Sequence, residues 1–202
     1  MICYHGSSVL FDSFDLSHIL EGDGKAKYGY GLYFTDSYHS AAHYARNKKR
    51  PGNTDYYVYT VEVPDLTEDN HLVLYKRVPV AESIVKRVEE KLGEAIPEEA
   101  KVEGIPFRKY LENRLIGNIT TITQMTDKST FPGKKAAAEF LASIGFDYYV
   151  WPVDWKKPET SFKDFSLLDD KKVRIIRIDK VELNPKKNYH LIEGSQVTIK
   201  TF

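Results

Sequence analysis

An α+β fold is what this sequence predicts, and three observations carry the expectation. Segments with β-branched and aromatic alternation gather at both ends of the chain, from "ICYHG" to "YYVYTVEV" and from "DYYVW" to "QVTIKTF". Helical periodicity fills the stretch between them, from about residue 79 to 144. The 202 residues, 42% hydrophobic and 29% charged, suit one domain able to bury a full core.

Taken in order, "MICYHG" reads as a short strand ending at a glycine, and residues 11 to 30 as an ordered Asp/Ser/Gly loop with one helical turn. "GLYFT" is a strand built on Leu32, Tyr33 and Phe34. Asp36 and Ser37 then supply N-cap chemistry for a helix running to about Lys48, with Ala41, Ala42 and Ala45 as good helix formers. "RPGNTD" interrupts the chain, "YYVYTVEVPD" is the clearest strand, and "HLVLYKRV" is a weaker extended segment. Helices are expected at about 81–92 (Ile84, Val85, Val88, Leu92), 107–116 and 134–143. "DYYVWPV", "DFSLLD", "KVRIIRIDKVEL" and "QVTIKTF" complete the set as strands. No internal repeat or low-complexity segment is present.

Twenty-nine basic residues balance twenty-nine acidic ones, so bulk attraction to nucleic acid or an anionic membrane is not expected. A single cysteine, Cys3, excludes an internal disulfide and any multi-cysteine metal site, and reads as a small buried hydrophobe. The start of the chain lacks a secretory leader pattern, and no apolar run approaches the ~20 residues that span a bilayer. A cytoplasmic protein is the expectation, although a toxin exported by a dedicated machine would have the same composition.

Two features could carry chemistry. His5 follows a strand and precedes "GSS"; alone it reads as a hydrogen-bonded structural histidine, but Gly6 beside it would permit close approach to the backbone. The stretch "YGYGLYFTDSYHSAAHYA" holds Tyr33 on a strand and Tyr44 on the following helix. Folded back, the two rings would clamp a flat heteroaromatic with both hydroxyls free, but read alone they are better explained as core. His39 and His43 have a metal-compatible spacing on one helix without a third ligand, and "GYG" is too short for a dinucleotide fingerprint.

Together, "YHGSS", "YGYGLYFTD" and "SAAHYA" resemble the ADP-ribosyltransferase fold of the diphtheria toxin and poly(ADP-ribose) polymerase type, with its His-Tyr-acid triad. The similarity is nearest to the small bacterial and phage branch associated with polyvalent proteins. It covers residues 1 to 64 and about 134 to 180, leaving 79–133 as a helical insertion within a single 1–202 domain. The resemblance implies two packed mixed or antiparallel sheets forming a split NAD-binding cleft. NAD would be the substrate and no metal would be needed. His5 would bond the nicotinamide-side ribose, the Gly6 backbone the carboxamide, and Tyr33 and Tyr44 would sandwich the nicotinamide ring, with Ser7 adjoining.

The family's glutamate falls on Asp164 in "DFSLLDD", one methylene shorter, with Glu159 just upstream as the fallback carboxylate and a strand cap as the alternative role for Asp164. Where polymerases carry a carboxamide-binding serine this chain has Ala41, and neighbouring Ser40 is the substitute. Lys25 and Lys27 lie where a donor loop would cover the pyrophosphate, but on their own they read first as exposed, solvated lysines. The expected activity is mono-ADP-ribosyl transfer from NAD to a macromolecular acceptor, protein or nucleic acid, in a bacterial or phage toxin with an antitoxin or immunity partner. The alternatives are an NAD glycohydrolase, a silent module binding NAD or ADP-ribose, and an interaction protein whose rings are core.

Overall fold

The computed structural model of the chain describes residues 1–19, 26–46, 55–74, 78–117, 127–152, 154, 156–157 and 163–202. Its strands are β1 (Ile2–Ser7), β2 (Leu32–Thr35), β3 (Tyr56–Glu62), β4 (His71–Val73), β5 (Tyr148–Pro152), β6 (Lys163–Leu167), β7 (Arg174–Val181), β8 (Leu183–Asn184), β9 (His190–Leu191) and β10 (Val197–Thr201). The helices are α1 (Tyr38–Tyr44), α2 (Glu82–Leu92), α3 (Glu98–Lys101), α4 (Gly104–Leu115) and α5 (Asp127–Ser143).

Eight strands form one mixed sheet in the order β10-β7-β3-β1-β2-β6-β5-β4, and β8-β9 form a small antiparallel ribbon. Only β4 runs parallel to its neighbour, β5. The expected pair of sheets is thus one hydrogen-bonded sheet, and its centre shows why. β1 pairs with β3 along its whole length, from Ile2 opposite Glu62 to Ser7 opposite Tyr57. Its other edge meets β2 through one residue pair, Tyr4 opposite Thr35. The sheet is therefore two four-stranded halves held by a single bridge, beyond which β1 and β2 part.

Each face of the sheet buries a different core, because side chains alternate along a strand. One face carries Cys3, Phe34, Tyr59, Tyr148, Phe165 and Ile178, from both halves, with Phe11 and Phe14 of the following loop packed on them. The Tyr148 hydroxyl of one half donates to the Pro64 carbonyl beyond β3 of the other, at 2.6 Å, which ties the halves together on this side. Cys3 is 1% exposed and burial pushes its thiol up to about 12, which makes it an unreactive core residue.

The second face is covered in two patches. Ala41 and Ala42 of α1 pack on Val58 and Val181 of the first half. Over the second half lie α2, α4 and α5, whose Val85, Val88, Phe107, Leu111, Ala138 and Leu141 close on Leu72, Tyr149 and Trp151. Phe107 and Leu111 have no exposed surface, and each full burial contributes ~1.5–3 kcal/mol. The helices between 79 and 133 therefore cap the sheet itself. Among them α4 starts earlier than its periodicity suggests, at Gly104, and the single turn α3 has no counterpart in the sequence reading. No helix of the described residues is long and apolar enough to cross a membrane.

Candidate functional site

Between α1 and the helical layer, the second face keeps a strip of polar and aromatic side chains. β2, β6 and β5 set it by register: Thr35 lies opposite Asp164, and Asp164 opposite Trp151. One step along the ladder, Tyr33 lies opposite Ser166 and Ser166 opposite Tyr149. All these side chains therefore project to the same side of the sheet.

Asp164 is the charged group of this strip. It is 9% exposed, and its Oδ1 is buried without a hydrogen-bond partner among the described residues. Burial pushes its carboxyl up to about 6, against hydrogen bonding from the Thr35 and Trp151 side chains, and the nearby Asp36 charge pushes the same way. At neutral pH it is a mostly ionised carboxylate with spare accepting capacity in a desolvated setting, a combination that marks ligand and catalytic sites. Glu159 and Lys25 lie outside the described residues.

Tyr44, at the end of α1, lies within reach of the Asp164 charge. Ser37 caps this helix, accepting from the Ser40 amide at 3.2 Å, as the sequence suggested. Gly6 fixes its depth: a Cβ there would come within 2.6 Å of the Ala45 nitrogen and collide with the Ala41 carbonyl. The close approach Gly6 permits is thus made by the chain's own helix. Tyr44 is 62% exposed, and partial burial followed by the Asp164 and Tyr28 charges raises its phenol. Tyr28 stacks on Trp151 at 4.3 Å and 23°, with the Lys27 ammonium 5.1 Å from the Tyr28 ring centroid.

Tyr33 differs from expectation. Its hydroxyl donates to the Gly29 carbonyl (3.0 Å) and accepts from the Tyr28 amide (3.1 Å), so it is not free. Its ring meets Trp151 edge-on at 5.4 Å and 70°. Trp151 and Tyr28, not singled out by sequence, take part of the wall assigned to Tyr33.

His5 also stands apart. It shares a face with Phe34 and Tyr59 and is surrounded edge-on by Phe11, Phe14, Phe34 and Tyr59, at centroid distances of 5.2–6.3 Å. The structure therefore does not gather the His5 imidazole, the Tyr33 ring and Asp164 on one face. The physical reason is the strand period of two: Tyr4, not His5, pairs with Thr35. What His5 does reach is the opening between the half-sheets, where its Nδ1 bonds the Tyr33 carbonyl oxygen at 2.8 Å. A carbonyl only accepts, so the proton sits on Nδ1 and Nε2 is left as an acceptor. Burial lowers the imidazole's pKa, outweighing that hydrogen bond, and keeps the ring neutral.

The remaining candidates are peripheral. Ser7 Oγ accepts from the Val9 amide at 3.0 Å, closing a local turn. Ser40 stands in the first turn of α1, half-buried. His39 is 3.7 Å from Glu193, and His43 packs edge-on to Tyr44 and His190; among the described residues no group of three or more metal-ligating side chains converges. Comparison of the chain with family models, curated proteins and solved structures finds no match.

Proposed function

We propose that this protein is an NAD-dependent mono-ADP-ribosyltransferase acting in the cytoplasm on a macromolecular acceptor. One observation carries the reading: Asp164, a buried carboxylate whose Oδ1 has no partner among the described residues, lies close enough to the exposed Tyr44 for its charge to raise that phenol. In the reaction the C1′–N bond of NAD breaks and its electron pair leaves with nicotinamide. Positive charge then grows on C1′ and the ring oxygen, and a fixed anion in a dry site stabilises that state more than the ground state. The acceptor's O–H or N–H bonds to C1′, and Asp164 Oδ1 takes the proton it releases. NAD would enter the split beyond the Tyr4–Thr35 bridge, where His5 Nε2, the acceptor nitrogen of the neutral ring, would accept from a ribose hydroxyl.

Tyr33 favours a second reading. With both hydroxyl roles used and its ring against Trp151, it is committed to the fold, as in a module that binds NAD or ADP-ribose without turning it over. Free nicotinamide measured after incubation with NAD separates the two. Release that disappears in Asp164→Ala supports the transferase; saturable NAD binding without release supports the silent module. Absence of binding ends both.

A further inference from the structure

The insertion that the resemblance leaves unexplained sends one buried cation across to the candidate site. Arg108, on α4, is 3% exposed and pairs with Glu112 one turn along the same helix. Its second terminal nitrogen donates to the Lys27 carbonyl oxygen at 3.4 Å, far away in sequence. The guanidinium carbon stands 5.8 Å from the Tyr149 ring centroid. A planar fork can hold a carboxylate and a carbonyl at once, which an ammonium cannot do with the same geometry.

The turn that Arg108 touches is the one that orders the tyrosines. Gly29 adopts φ +119°, and a Cβ there would meet Tyr149 Cε2 at 2.5 Å and Arg108 Cδ at 3.4 Å, so the turn is wedged between α4 and β5. From this turn come both partners of the Tyr33 hydroxyl, the Gly29 carbonyl and the Tyr28 amide. Tyr28 in turn lies flat on Trp151, which faces Asp164 across the ladder.

We propose that Arg108 is a positioning residue: from the insertion it straps the Lys27–Gly29 turn to β5 and so holds the Tyr28 and Tyr33 rings on Trp151 at the edge of the candidate site. The strap itself is independent of function; its effect on turnover rests on the transferase reading above. The region 79–133 thereby becomes part of the site's frame, not only a surface for partners.

Removing Arg108 alone would leave Glu112 with Lys134, itself 7% exposed, as the nearest remaining cation, so the first variant is Arg108→Met with Glu112→Gln, which keeps an acceptor near Lys134. Arg108 and Glu112 are replaced together, so neither is left as a buried charge without the other. The second is Arg108→Lys, which keeps the charge and loses the fork. Both are made in a Trp155→Phe background, which leaves Trp151 as the sole tryptophan of the two in the sequence. The expected result is a folded protein whose Trp151 emission shifts and brightens as the Tyr28 stack loosens. NAD KM should rise about tenfold while kcat stays within about twofold, because a loosened wall weakens binding. A merely structural role would lower kcat through loss of folded protein and leave KM alone. Folded variants with unchanged Trp151 emission and unchanged KM overturn the proposal. Should the double variant fail to fold, Arg108→Lys decides on the same readouts. A parent protein without nicotinamide release defeats the transferase reading, while the emission arm still decides on the strap.

Discussion

Two buried aspartates on the same face of the sheet, one in each half, have opposite designs. Asp179 of β7 is 2% exposed and its oxygens are filled: Tyr38 Oη donates at 3.0 Å, Arg177 Nε at 3.1 Å and Thr198 Oγ1 at 2.7 Å. These donors come from α1, β7 and β10, so the carboxylate fastens three elements. Asp164 of β6 is almost as buried, but among the described residues one of its oxygens has no donor. A buried carboxylate with both oxygens hydrogen-bonded is structural, whereas one left partly unpaired costs stability that a bound ligand would recover. Helix α1 spans both, with Tyr38 on the fastener at one end and Tyr44 beside the unfilled site at the other.

The sharpest break in this comparison is Asp164→Asn, which should act in opposite directions on catalysis and folding. Nicotinamide release should fall by about 100-fold or more, the size expected when charge stabilisation is removed from a reacting centre. Stability should rise. The folded carboxyl titrates near 6 and the unfolded one near 3.8, so the unfolded chain gives up its proton first. Stability is fully present below 3.8 and is lost as pH rises toward 6, by about 1.4 kcal/mol per unit and roughly 3 kcal/mol in all. Above pH 7 the amide should therefore unfold later than the parent, up to that amount, in thermal or urea denaturation. The same titration predicts parental activity that climbs with pH through about 6 and then levels. A variant that is both inactive and less stable would return Asp164 to the fastener class.

Asp179→Asn should show the reverse sign. It weakens the acceptor of Arg177, Tyr38 and Thr198, and breaking a buried charged network costs about 3 kcal/mol. Activity per folded molecule should stay near the parent's. Tyr44→Ala is the intermediate case: an exposed ring contributes little to the core, so stability should hold while NAD binding weakens about tenfold, as for one lost stacking partner. Calorimetric titration with NAD reads this directly.

How legible this was in the sequence follows from range. Strands β1, β2, β3, β5 and β7 were readable because alternation and β-branching act over neighbouring residues, and so was Ser37 as the cap of α1. The single bridge between Tyr4 and Thr35 joins residues far apart in sequence, and no local pattern specifies it. That register decides that His5 turns toward Phe34 while Tyr33 turns toward Trp151. Asp164 emerged only through resemblance, since "DFSLL" gives no local sign that its carboxylate lies across from Trp151. The locked Tyr33 hydroxyl depends on the turn at Gly29, whose conformation is fixed by α4 and β5 from outside.

The smallest effect expected is that of Tyr38→Phe, and it probes whether the two aspartates communicate through α1. The change removes one hydroxyl from Asp179 and leaves the Arg177 and Thr198 bonds in place, a net loss of about 1 kcal/mol. The ring stays packed edge-on against Tyr4 at 5.4 Å. α1 has independent anchors in the Ser37 cap and in Ala41 and Ala42, at most 1% exposed, above the Gly6 backbone. These should keep Tyr44 at its place beside Asp164. Thermal denaturation should therefore drop by a few degrees, the scale of about 1 kcal/mol in a domain of this size, while NAD affinity moves less than about twofold, within the usual additivity of separated sites. A larger loss of NAD affinity would mean that the fastener sets the geometry of the site, and the two aspartates would then form one coupled unit across the bridge between the half-sheets.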